Sequence, residues 1–318
     1  RVAPSPIAAK VMGKVQVNIG ADGQSNCAID LADASIFGCN NTNGSPQDNV
    51  TVNVYCTGHT TETAAGYTGA NPTYAIDQVF GGGNKADYLP LTGKTTVNVI
   101  GCLNTIRRVF AGGNAAAAQG VVTVIDGGRF DYIFGGGNGE SLPLNIGAGG
   151  TDLTVHGGNI NNLFGGSNTS GTISGTMSTT IDREGPCQDQ NSMYIAEFFC
   201  GNNLASIGTS ENPVDINAVI GCGTRFGDVY GGCNQAVIYG NVQLTIEGGV
   251  IDTVYAGSKG TLNDAANING DVTLNIYGGT IGAAFGGSNI NGNITGAITV
   301  NMDISRSEER RVGKECRS

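Results

Sequence analysis

The chain has 318 residues, among them 53 glycines, 8 prolines and no tryptophan, and only 13% are charged. A net charge of −10 argues against a nucleic-acid partner, and no apolar run is long enough to span a membrane. The 39% hydrophobic content, with abundant Gly, Asn and Thr, fits short strands and tight turns around a thin core rather than a disordered tail.

One motif recurs along the chain: an apolar residue, then Phe or Tyr, then small residues often closed by Asn. It first appears as Ile36-Phe37-Gly38-Cys39-Asn40, then as Val79-Phe80-Gly81-Gly82-Gly83-Asn84 and Val109-Phe110-Ala111-Gly112-Gly113-Asn114. Ile133-Phe134 leads to Asn138, Leu163-Phe164 to Asn168, and Phe198-Phe199-Cys200-Gly201 to Asn202. The last copies are Val229-Tyr230 with Asn234, Val254-Tyr255 with Ser258, and Ala284-Phe285 with Asn289. Successive aromatics lie 43, 30, 24, 30, 35, 31, 25 and 30 residues apart, a period that marks a stacked repeat architecture.

The best-preserved copies show how one unit is built. Val242, Leu244 and Ile246 alternate with polar residues, as do Val272, Leu274 and Ile276, the period of a half-buried strand. Gly-Gly pairs follow at 127–128, 157–158, 248–249 and 278–279 and supply a sharp corner. A large apolar residue stands four before each aromatic from the second copy on: Ile76, Ile106, Phe130, Ile160, Ile195, Phe226, Ile251 and Ile281. The unit therefore reads as strand, Gly corner, short strand, Gly-rich corner and variable arm. So small a unit buries its apolar face only by stacking. The expected fold is all-β, a parallel β-solenoid, with a right-handed β-helix of nine to ten irregular repeats as the leading form. A β-propeller is the rival, but its blades need ~40–50 residues. Phe80, Phe110, Phe134, Phe164, Tyr230, Tyr255 and Phe285 are expected to form an internal ladder, and Asn84, Asn114, Asn138, Asn168, Asn234 and Asn289 a second one of stacked amides.

The segment 306–318 breaks from this style and resembles the direct translation of a sequencing adapter. It is set aside as an artefactual tail, which leaves 1–305 as one solenoid domain, a fragment of environmental sequence expected to continue past Ser305. Without the tail, 11 basic residues face 23 acidic ones, a net −12. Eight cysteines remain, and none form a Cys-x-x-Cys pair, so a zinc or thioredoxin motif is not indicated. They are either disulfides, Cys187 with Cys200 and Cys222 with Cys233 being the tidiest pairs, or small residues at repeat positions.

The stretch 270–289, Gly-Asp-Val-Thr-Leu-Asn-Ile-Tyr-Gly-Gly-Thr-Ile-Gly-Ala-Ala-Phe-Gly-Gly-Ser-Asn, and the run Val79-Phe80-Gly81-Gly82-Gly83-Asn84 resemble the repeats of large Gly-rich surface or secreted proteins of gut bacteria. The resemblance covers nearly all of 14–304 and implies an adhesin-like β-solenoid at the cell surface or outside the cell. It carries no catalytic residues across.

Binding function is expected on the arms: 41–49, 57–73, 85–94, 139–150, 203–213 and the divergent insert 182–196. An enzyme of this fold would need clustered carboxylates with a basic partner. The candidate is the strip Asp77, Arg107, Asp131, which share one register, with Arg108 beside it and Asp252 further along. The alternative for the strip is cross-turn charge pairing on a solvated face. His59 and His156 have no Cys, Asp or Glu at ligand spacing and read as exposed turn residues. The Gly-Gly-x-Gly-x-Asp spacing of calcium repeats is missing, so no cofactor is expected beyond weak Ca²⁺ binding. Thr95, Thr96, Thr123, Thr154, Thr245 and Thr273 do not make the regular Thr-x-Thr face that ice binding needs. The functional expectation is an adhesin-like scaffold that meets glycans or surface proteins, with a polysaccharide lyase or hydrolase as runner-up.

Overall fold

The computed structural model describes residues 10–20, 31–57, 74–140, 143–187 and 193–303. Cys27, His59, Cys316, most of arm 57–73, insert residues 188–192 and the tail 306–318 lie outside the described residues. Among those described there is no helix, and every strand pairing is parallel. Two long sheets carry the fold. The ten-stranded sheet runs in near-perfect sequence order from Val15–Ile19 and Val50–Val54, through Thr151's strand Ile146–Val155, to Val272–Ile276 and Ile298–Met302. The nine-stranded sheet holds the strands that end on the repeat aromatics, from Leu31–Phe37 to Thr280–Phe285. Each coil gives one strand to each sheet, so the chain is a parallel β-solenoid.

The alternating pattern sets which side chains turn inward. Val242, Leu244 and Ile246 are buried and pair in register with Val272, Leu274 and Ile276 on the next coil. The residue four before each aromatic does the same in the other sheet: Ile106, Phe130, Ile160, Ile195 and Phe226 stand opposite one another on successive coils. Each buried side chain of this kind contributes roughly 1.5–3 kcal/mol relative to exposure. The corner between the sheets needs glycine. Gly158 has φ +113° and Gly279 φ +95°, and a Cβ on either would sit under 3 Å from the carbonyl oxygen of the equivalent glycine one coil earlier.

The arms do more than connect. Several send one isoleucine back to the core, where Ile207, Ile238, Ile268 and Ile294 bridge in parallel from coil to coil. They close a third, narrower side that the sequence pattern does not announce.

Candidate functional site

The repeat aromatics stack as one column on the side of the nine-stranded sheet away from the main core. Nine rings, Phe37, Phe80, Phe110, Phe134, Phe164, Phe199, Tyr230, Tyr255 and Phe285, follow one another with centroids 4.6–5.2 Å apart and planes within 11°. The spacing matches the ~4.7–4.9 Å between neighbouring strands, so the backbone sets the stack. The six rings from Phe80 to Tyr230 are buried and Phe37 and Tyr255 are partly buried, whereas Phe285 at the end is 49% exposed.

An amide row runs beside the rings. Asn84 donates to Asn41, Asn114 to Asn84, Asn138 to Asn114, Asn168 to Asn138, Asn203 to Asn168 and Asn234 to Asn203, at 2.7–3.0 Å. In the sixth coil Asn203, not Asn202, is the member of this row. Asn202 belongs one position inward, with Ser167, Cys233, Ser258 and Ser288. There each backbone N–H donates to the side chain of the next coil: Ser167 to Asn202, Asn202 to Cys233, Cys233 to Ser258 and Ser258 to Ser288. Cys233 thus stands in for serine as an acceptor. The row breaks after Asn234, where Lys259 takes the place, and Asn289 donates to the Tyr230 hydroxyl instead.

The cysteine pairings expected from the sequence are corrected. Cys187 bonds to Cys102, and Cys200 and Cys233 are unbridged buried thiols. Cys222 is disulfide-bonded, but not to Cys233. The physical reason is the path of the insert. Residues 182–187 do not leave the solenoid but run back along the Gly corner. A Cβ on Gly185 would meet His156, and one on Gly127 would meet both Cys102 and Cys187. Side-chain-free corners form the furrow that lets this segment reach Cys102.

That path also corrects the reading of His156. Its Nδ1 lies 2.7 Å from Asp182 Oδ1, and Asp126 sits one coil earlier. Burial pushes the Asp126 carboxyl above its usual range, with His156 pulling the other way. Among the described residues no group of three or more His, Cys, Asp or Glu is arranged to hold a metal.

The charged strip comes together across coils. Arg107 lies 3.3 Å from Asp77 and 4.0 Å from Asp131, and Arg108 lies 3.0 Å from Asp77. Gln78 also donates to Asp77, and Asn161 donates to Asp131. Both oxygens of Asp77 are engaged, so the strip is a network of neutralising pairs. Asp228 accepts from the Tyr230 hydroxyl. Of the threonines, Thr95 and Thr123 are buried, and Thr95 donates to the Ala111 carbonyl.

Comparison with known protein families, curated proteins and solved structures returns no match. No described helix is long and apolar enough to cross a membrane.

Sequence reasoning missed a cleft of about 260 Å³ between the arms 41–49 and 85–94. Lys10, Asn43, Ser45, Gln47, Lys85 and Asp87 help to line it. The arms are held together. Leu89 N–H donates to Ser45 Oγ, and Lys85 N–H to the Asn41 carbonyl. The buried Tyr88, its hydroxyl pushed up to about 12 chiefly by burial, donates to the Asp48 carbonyl.

Proposed function

We propose that the chain is an extracellular, adhesin-like scaffold whose arms present binding groups to glycans or surface proteins. The observation that carries this reading is the use made of the polar side chains on the coils. Aromatics, amides and charges are spent on coil-to-coil contacts, which gives rigidity and reach. An open cleft of about 260 Å³ lies between two arms. A carbohydrate-active enzyme working through Asp77, Arg107 and Asp131 is supported less well, because a general base needs a carboxylate oxygen available to the substrate. A glycan array probed with the whole chain, with and without calcium, tests the proposal. Retention of specific glycans is the expected result, and release of cleaved sugar contradicts it.

A further inference from the structure

We propose that the cleft between arms 41–49 and 85–94 binds a sugar carboxylate, one uronate unit of an acidic glycan. The inference rests on the scaffold reading and names a ligand class for one of its arm sites. At about 260 Å³ the space is below the ~300–1,000 Å³ of drug-sized pockets, which suits one sugar unit.

The chain carries a net −10, yet two lysines from different segments, Lys10 and Lys85, converge here. Both are exposed, and neither belongs to an ion pair among the described residues. The cleft also holds Asp87, whose Oδ1 accepts from the Ala117 N–H at 2.7 Å on the neighbouring coil. Two ammonium groups and one carboxylate leave a single positive charge. That balance suits a singly charged carboxylate better than a doubly charged phosphate. Asn43 and Gln47 bring amides suited to sugar hydroxyls, and Leu89, 60% exposed, offers apolar surface to the C–H face of a ring.

The walls are set before any ligand arrives. Lys10–Val11 pairs with Ser45–Pro46 as a short parallel ladder, and Ser45 and Asp48 tie the second arm to the first. Such preorganisation lowers the entropy lost on binding.

The test is calorimetry on the whole chain with a galacturonic acid trimer, a galactose trimer and inorganic phosphate. The expected result is binding of the acidic trimer that weakens with salt and falls by about tenfold or more in the Lys10→Gln/Lys85→Gln variant. Both lysines are exposed, and circular dichroism checks that the variant folds. The proposal is overturned if the acidic trimer does not bind, if the double substitution leaves its affinity unchanged, or if phosphate displaces it more effectively. Equal binding of the neutral trimer by both proteins, without acidic binding, overturns this inference but leaves the scaffold reading standing.

Discussion

Lys259 holds the amide-row position of its coil, and its ammonium pairs with Glu197, two coils back along the nine-stranded sheet. On the way it passes 5.7 Å from the centre of the Phe199 ring and 5.6 Å from that of Tyr230. One long cation therefore stands where the Asn-to-Asn chain stops and reaches back over two stacked rings to a carboxylate.

Lys259→Ala is expected to destabilise the protein modestly, by about 0.5–1.5 kcal/mol, from a partly buried ion pair plus its ring contacts. Lys259→Asn is expected to recover part of that loss by extending the amide row from Asn234. Chemical denaturation of both variants checks the order; equal losses would show that the row does not propagate.

The ring column makes a positional prediction. Phe134 is buried with a ring on each side, while Phe285 has a neighbour on one side only. Phe134→Ala is expected to cost about 3–5 kcal/mol and Phe285→Ala about 1 kcal/mol. Thermal melts of the two variants give the comparison, and similar shifts would contradict a continuous stack.

The bond between Cys102 and Cys187 closes a separation of 85 residues and pins 182–187 into the corner furrow. Its loss is expected to cost about 2–5 kcal/mol. A Cys102→Ser/Cys187→Ser variant should melt lower than the wild type without reductant. It should also expose the 182–187 segment to protease.

Burial pushes the Cys39 and Cys233 thiols up to about 12 and raises that of Cys200 as well. A neutral thiol is a poor nucleophile. At pH 8, alkylation of the native protein should therefore modify the exposed Cys56 thiol well before these three. The sign for stability follows from the raised values. The unfolded thiols ionise near 9.0 and the folded ones near 12, so stability is intact below about pH 9 and declines as pH rises toward 12. Denaturation midpoints measured across that window check it.

Much of this architecture is readable in the residues because stacking repeats the same environment at the same register. Ile106, Phe130 and Ile160 differ in type but share a position four before the aromatic, and the structure places them opposite one another. The frame slipped where two asparagines are adjacent. Asn202 and Asn203 are equivalent as sequence, and only the contacts of Ser167 and Asn168 separate the inner row from the outer one. The disulfide and the His156–Asp182 pair were hidden for a related reason. Both depend on an insert that turns back along the stack, and its direction is fixed by the room above Gly127 and by contact at Gly185 rather than by local sequence. The cleft depends on two arms of unlike sequence meeting, which no repeat pattern encodes.

The most direct test of the scaffold reading is to incubate the whole chain with each polysaccharide that it retains and to chromatograph the supernatant for new reducing ends and unsaturated sugars. Binding that leaves the polysaccharide chains intact is the predicted result. Fragments that disappear in an Asp77→Asn variant would contradict it and identify the charged strip as a catalytic site.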